Sequence, residues 1–445
     1  MQERKTMTLD RRRILTGATL LGGLNLLGLA GCVTAEAPAA ALLTYGNAPP
    51  LFPVRAQADR IFDITVCLRP FRAAGPRLDT EQVGDTLVVH NYGHGGSGWS
   101  LSWGSSTIAV RKAMAAGPAE VAVLGCGALG LTSALLAQRA GAKVTIYARE
   151  LLPDTRSARA TGSWTPDSRI ALASVAGPSF GPLWEEMARI SFKTYRRYLG
   201  LPGAPVEWTD RYLLSDETPD AAMARLKARG SGQGGLDFAE YADRIADLTP
   251  GWETLPPGST PFPTPTVRRS EAMMFNIADY GHTLIADFLA AGGAIRTMEF
   301  HAPGELALLK EKVVINCPGY GARALWKDES ITPVRGQIAW LIPQSEVDYG
   351  VIYRGVSMLS RRDGIVIQSL QGGDMRGYGD TNETPDRAEA ESSLAVIAEL
   401  CSRFGAPLRR CLPADGGRRF SSRACAPVPR SSGGRRNLPT PDAEA

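Results

Sequence analysis

The sequence predicts an α/β fold in which a domain of parallel strands and covering helices joins a second, β-rich domain of α+β character. Three observations carry this. The run "AEVAVLGCGALGLTSALLAQRAGAKVTIYARE" (119–150) passes from a buried strand (Val121–Leu124) through a glycine turn into an apolar helix (Leu129–Ala140) and a second strand (Lys143–Tyr147). That β-turn-α-β order gives a GxGxxG spacing its meaning. "KVVINCPGYGARAL" supplies another strand-turn-helix, with its buried strand at Val313–Asn316, and "GQIAWLI" and "GIVIQSL" read as strands of the β-rich part.

The elements follow in order. "MTLDRRRILTGATLLGGLNLLGLAGC" sets Arg11, Arg12 and Arg13 before an apolar, glycine-rich run from Ile14 to Ala30. This is the pattern of an export signal of the twin-arginine type, a route that carries folded, cofactor-loaded proteins. "LAGC" resembles a lipoprotein processing site with Cys32 as the lipidated residue; an uncleaved anchor, or cleavage near "TAEAPAAA", are the alternatives. Val33 to about Gln57, rich in Ala and Pro, reads as a linker. "DTLVVHNYG" is a strand running into a glycine turn, and "STIAVRKAMAAG" has helical spacing. The stretch 170–266 mixes helical and loop signals. "YGHTLIADFLAAGGA" reads as a helix ending in Gly292-Gly293, "RAEAESSLAVIAELCSRFG" as an amphipathic helix, and the Arg-, Gly-, Ser- and Pro-rich tail from Pro407 has the composition of a disordered segment.

Composition narrows the classes. The 445 residues, 44% of them hydrophobic, allow two or three domains. The net charge of +4 is small, and no basic block alternates with aromatics, so nucleic acid is not an expected partner. The seven cysteines include no CxxC pair and no Cys/His cluster of metal spacing. Cys67, Cys126 and Cys317 fit burial as small hydrophobes. Cys401, Cys411 and Cys425 admit a disulfide without choosing a pair.

Gly125, Gly127 and Gly130 suit a backbone that turns sharply and approaches a pyrophosphate at a helix N-terminus, with Ala128 and Leu129 in the first turn. Either Glu150 or Arg149, at the end of the second strand, would face the ribose or a phosphate. The motif alone does not separate NAD from FAD. "HNYGHGGSGWSLSWGSS" (90–106) does: its five glycines, two histidines and two tryptophans resemble the flavin-binding signature of the D-amino-acid oxidase family. "LRPFR" (68–72) resembles that family's segment carrying the arginine that grips the substrate carboxylate. "ATGSWTPDS" (160–168), "VINCPGYGARAL" and "PVRGQI" (333–338) resemble further family segments.

The resemblance implies a Rossmann-like FAD-binding domain over 72–170 and 272–336. It implies a substrate domain over 58–71, 171–271 and 337–405, with 1–32 as export signal, 33–57 as linker and 406–445 as tail. FAD would meet Gly125, Gly127, Ala128, Leu129, Gly130, Arg149, Glu150, Arg156 and Ser157. It would also meet Gly162, Ser163 and Trp164, and the run Gly95, Gly96, Ser97, Gly98, Trp99 and Ser100, whose glycine amides would face the flavin ring. Arg69, with Arg72 as fallback, would pair with a substrate carboxylate, and Gly96 would also face the substrate. His90 and His94 would support the site structurally. Tyr349 and Tyr353 match the spacing of the family's substrate-side tyrosines; an alternative alignment puts Met358 at such a position.

The implied reaction is oxidation of a C–N bond in an amino acid or related amine, hydride passing to flavin, with oxygen or another acceptor taking the electrons; the alternatives are an exported flavin dehydrogenase of another small substrate that passes electrons to a non-oxygen acceptor, or a non-catalytic flavin-binding protein. In the family the arginine and "HNYGHGG" segments come last; here they come first. The order reads as a circular permutation, which close termini on one domain permit.

Overall fold

The computed structural model describes residues 50–404 apart from 222, 223 and 225–234. The predicted export signal, most of the linker, the tail, and Cys32, Cys411 and Cys425 lie outside the described residues. Residues 50–57 form no strand but pack on the protein: Val54 is buried, and Phe52 and Arg55 bond to residues 349 and 344.

Fourteen strands occur among the described residues: β1 (Ile61–Arg72), β2 (Thr80–Val83), β3 (Thr86–His90), β4 (Glu120–Leu124), β5 (Lys143–Ala148), β6 (Val206–Ser215), β7 (Glu253–Thr254), β8 (Thr266–Phe275), β9 (Ala294–Thr297), β10 (Val313–Asn316), β11 (Ile331–Leu341), β12 (Tyr349–Tyr353), β13 (Val356–Arg361) and β14 (Gly364–Ser369). They form a six-stranded sheet, β2-β3-β10-β4-β5-β9, and an eight-stranded sheet, β1-β11-β14-β13-β12-β6-β8-β7. In the six-stranded sheet β3, β10, β4, β5 and β9 are parallel, and only β2 runs antiparallel.

Alternation within the strands makes the layers. Val121, Val123 and Ile315 face one core with the apolar side of two helices, α1 (Gly98–Ala113) and α2 (Ala128–Arg139). Ala122, Leu124 and Val314 face the other core, closed by Leu306, Leu309 and Leu325. A parallel strand buried on both faces requires an apolar run, as at Val121–Leu124 of β4 and Val313–Ile315 of β10.

In the eight-stranded sheet, Tyr349, Val351, Tyr353, Met358, Ile365 and Ile367 pack on one face against the Arg387–Ser402 helix. The intervening residues Ile352, Ser357, Leu359, Val366 and Gln368 face the opposite way. Strands β6 and β8 were not legible in the sequence. Arg211, Arg268 and Arg269 interrupt their apolar alternation, because one face of the sheet borders a polar cavity and the other end borders water.

The helix predicted from "STIAVRKAMAAG" begins earlier, at Gly98, so "GWSLSWG" forms its first two turns. Here α1 crosses the Phe180–Tyr195 helix at backbone contact. A Cβ on Gly104 would lie 2.1 Å from Met187 O and 2.4 Å from Met187 Cα, and the Gly104 amide donates to Ser191 Oγ at 2.8 Å. No rotamer relieves a clash with backbone, so Gly104→Ala must push the helices apart. We expect a loss of about 3 kcal/mol, at the upper end for overpacking a core, read as a lower denaturant midpoint; an unchanged midpoint would mean that the crossing is looser than described.

Candidate active site

Two adjoining cavities, of about 380 and 700 Å³, share Gly127, Arg156, Ser157, Cys317, Gly319 and Tyr320. The first lies on the eight-stranded sheet and is lined by Arg69, Gly95, Gly96, Trp99 and Ala128 among others. The second runs past Gly125, Tyr147, Arg149 and Glu150 at the ends of β4 and β5. Together they trace a path from the sheet, over the N-terminus of α2, to the end of the second parallel strand.

The glycine turn is built by contact. Gly125 has φ +96°, and a Cβ there would sit 2.5 Å from Cys317 O. A Cβ on Gly130 would sit 1.9 Å from Gly125 O, which lets α2 start directly at the turn. The Ala128 amide donates to Ser157 Oγ at 3.0 Å. The rest of the first turn has no carbonyl of its own helix to bond. Its amides and the helix dipole favour an anion beside Gly127 and Leu129.

The glycine-rich run upstream differs from expectation. The amides of Gly95, Gly96 and Ser97 donate to Pro70 O, Ser168 O and His94 O, each at 2.9 Å. They are therefore already committed to protein carbonyls. Ser97 is buried, its hydroxyl on Thr165 O and Ser168 O. Gly95 and Gly96 line the cavity with their amides engaged, and beyond them the first turn of α1, at Gly98, Trp99 and Ser100, also lines it, so a second helix dipole points its positive end there. Trp164 is likewise behind the wall, packed on Phe192 and Tyr195, whereas Gly162 and Ser163 line the cavity.

His94 lines the cavity with Nδ1 buried and unpartnered. Its Nε2 lies 2.7 Å from Ser105 Oγ, and that hydroxyl donates to Asn91 Oδ1. The Ser105 oxygen therefore accepts from His94 Nε2–H, which leaves Nδ1 as an acceptor. Burial holds the His94 pKa down to about 3, so the ring is neutral in any ordinary buffer. His90 bonds Glu81 and Asn316 instead, away from both cavities.

Arg69 stands on β1 opposite Val334 of β11. Its Nε donates to Val334 O at 3.2 Å and its Nη2 to Arg335 O at 3.0 Å; Nη1 has no hydrogen bond among the described residues. Gly336 lets the guanidinium lie against β11, since a Cβ there would be 3.1 Å from Nη2. Burial, and then the nearby Arg169, push its pKa down, a charge awaiting a counter-ion. Arg72, the fallback, is engaged elsewhere with Ser330 and Asp328.

Three expectations are corrected or refined. Tyr349 and Tyr353 do not reach the cavity: the Tyr349 hydroxyl donates to Phe52 O at 2.6 Å, and Tyr353 bonds Asp216. Met358 turns the same way, into the helix-covered face. The strand period of two decides it, because the cavity-facing neighbours are Ile352, Ser357 and Leu359. Arg149 and Glu150 pair with each other at 2.7 Å, and Arg149 also pairs with Glu299 at 3.0 Å, so both border the second cavity as members of an ion-pair cluster. Arg156 is held by Glu383 through two bonds of 2.9 Å. Sequence reasoning missed Arg211 of β6, which also lines the first cavity; no motif marks it.

A family model for FAD dependent oxidoreductases matches residues 120–430. The chain belongs to that family. It is 32% identical to a D-amino-acid oxidase of Streptomyces coelicolor over 219 residues, covering 49% of this chain and 58% of that protein. It is 23% identical to a D-amino-acid oxidase of Dictyostelium discoideum over 311 residues, covering 63% of this chain and 73% of that protein. An iminodiacetate oxidase structure from Chelativorans aligns with TM-score 0.42 and 15% identity over 64% of this chain and 79% of its own.

The residues present fit the family's cofactor, FAD. The cradle at Gly127 would be filled by any Cβ, 2.6 Å from Ser157 Oγ. The two joined cavities suit a dinucleotide, and His94 Nδ1, on the cavity wall, is a buried acceptor with no donor among the described residues. Residues Gly125–Gly130, Arg156 and Ser157 would hold the pyrophosphate side, and the first turn of α1, with Gly162 and Ser163, the ring side.

The low pKa of His94 has a consequence for stability. Between pH 6.5, its ordinary value, and about 3, the unfolded chain binds a proton that the folded chain does not. The associated stability is whole above 6.5 and is lost as pH falls through that window; His90, also held down by burial, acts in the same direction. We expect the unfolding temperature to fall with pH across this window, and less steeply in His94→Gln. Parallel slopes for the two proteins would remove His94 from the account.

Proposed function

We propose that this chain oxidises the C–N bond of an amino acid or related amine to an imine, which hydrolyses in water. FAD, when bound, supplies the two-electron acceptor that no side chain offers. The observation that carries the reading is Arg69: a guanidinium fixed by two backbone carbonyls, with one edge free, facing a cavity that no acidic side chain lines among the described residues. That edge would bind a substrate carboxylate and so orient the α-carbon. Phe275, Ile338 and Leu359 supply apolar wall that excludes water.

The cavity offers no base for proton abstraction. His94 is held to about pKa 3, and burial pushes the Cys317 thiol up to about 12. The amine must therefore arrive neutral, its proton left to solvent. Oxygen or another carrier then removes the electrons.

The deciding experiment is the visible spectrum of the purified flavoprotein under anaerobic conditions, before and after D-amino acids and glycine derivatives. Bleaching is expected; a flavin left oxidised by every amine would overturn the reading. Arg69→Ala should keep its flavin and raise KM for carboxylate substrates about 100-fold, the weight of roughly 3 kcal/mol for a charged hydrogen-bond pair. Between pH 5 and 9 the rise of kcat/KM should track the substrate's amine pKa, moving when the substrate is changed.

We also read the order of elements as a circular permutation. In support, Arg69 and the start of α1 precede the glycine turn yet border the same cavity, and only residues 114–119 join α1 to β4. Export by the twin-arginine route, with lipidation at Cys32, is the further proposal that Arg11–Arg13 and the apolar run support. A gene moving residues 58–117 behind residue 404 should yield the same flavin spectrum, and replacing Arg11–Arg13 by lysine should hold the protein in the cytoplasm; a lost spectrum or unaltered export would count against the respective reading.

A further inference from the structure

Among the described residues the first cavity is lined by six arginines, Arg69, Arg156, Arg159, Arg169, Arg211 and Arg376, and by no aspartate or glutamate. Three of them are neutralised from behind. Arg156 meets Glu383 at 2.9 Å, Arg376 meets Glu389 at 2.7 Å, and Arg169 meets Asp374 at 3.5 Å. Arg159 donates to Val66 O. Arg69 and Arg211, like Arg159, have no carboxylate partner among the described residues; of the three, these two stand on strands of the cavity floor.

Arg211 is the more exceptional of the two. Its Nη1 donates to Ser163 Oγ at 3.1 Å, while its Nε is buried with no partner. Burial alone acts on its charge, and no carboxylate offsets it. Its place is nonetheless built. Gly350, its neighbour on β12, leaves the space that the side chain fills: a Cβ there would lie 2.9 Å from both Cδ and Nε. Burying a guanidinium without a carboxylate beside it carries a large desolvation cost. Such a charge is tolerated where a counter-ion arrives.

The cofactor's pyrophosphate does not account for it. The α2 N-terminus and Arg156 serve that part of the path, at the junction of the two cavities, whereas Arg211 borders only the first. Arg69 and Arg211 stand at opposite sides of the cavity floor, on β1 and β6 with four strands between them.

We propose that the substrate carries a second anionic group, held by Arg211 while Arg69 holds the first: an amine bearing two carboxylates, or a carboxylate and another acidic group. This rests on the reading of the cavity as an amine-oxidising site, and it names the substrate class. Ser163 fixes one edge of the Arg211 guanidinium, leaving Nε and Nη2 as a fork for two oxygens.

The test uses the FAD-loaded protein and simple acids, so that it does not depend on turnover. Unbranched dicarboxylates from malonate to suberate are compared with monocarboxylates of the same chain length, by perturbation of the flavin spectrum and by the rise in unfolding temperature. The series spans the gap between the two guanidinium groups without requiring it in advance. At the best length the diacid should bind at least 30-fold more tightly than its monoacid. Arg211→Met should remove that advantage, and Arg211→Lys, which keeps the charge without the fork, should restore part of it.

The proposal is overturned if no diacid outbinds its matched monoacid in the native protein. It is also overturned if the advantage survives Arg211→Met in a variant that melts cooperatively and retains FAD. Loss of FAD from both Arg211 variants would instead assign the residue to the cofactor and equally sink the proposal. If every amine leaves the flavin oxidised while the diacid advantage stands, the oxidation reading fails and the two-anion site remains.

Discussion

The pairing of β1 with β11 is the constraint on which the rest depends. These long antiparallel strands stay in register from Ile64 against Ala339 to Arg72 against Ile331. Each passes from the eight-stranded sheet toward the six-stranded one: β1 leads on into β2 and β3, and β11 follows β10. The ribbon therefore fixes the sheet that floors the cavity relative to the helices that roof it. It also sets Arg69 against the carbonyls of Val334 and Arg335. A one-residue slip would turn Arg69 to the opposite face.

Around that ribbon the site is assembled from distant pieces by close backbone approach rather than by polar linkers. α2 begins at the glycine turn because Gly130 touches Gly125, and α1 reaches the cavity because Gly104 touches Met187. The polar groups trapped between them are satisfied among themselves. Asn91 donates to Ser106 and Ser133, and Ser106 meets Thr132. Buried networks of this kind rigidify when every member finds a partner, and His94 Nδ1 is the member left open.

Much of the parallel domain was legible in the sequence, for physical reasons. A strand buried on both faces requires an apolar run, so Val121–Leu124 and Val313–Ile315 announce themselves, and glycines at contact distance leave a spacing that can be read. The eight-stranded sheet was legible only in part. Its floor mixes Arg211, Ser357 and Gln368 with apolar residues, and that mixture hides β6 and β8 from a hydrophobicity pattern. The tyrosines went astray because spacing locates a residue along a strand, while the face it occupies depends on register with neighbours. The glycine amides went astray because a Gly-rich stretch predicts close approach without saying to what. Here the carbonyls of Pro70, Ser168 and His94 take them. Arg211 lay beyond sequence reasoning altogether: its meaning comes from the absence of an acid among residues that only the fold brings together.

Cys126 and Cys317 sit against the glycine turn, both free and buried. Burial raises their thiols to about 11 and 12, so neither carries appreciable thiolate at neutral pH. Thiolate is the form that oxidants and alkylating reagents attack. The folded protein thus shields two sulfurs beside its cofactor cradle from the redox chemistry of its surroundings, and their labelling rate becomes a clock for the opening of that cradle.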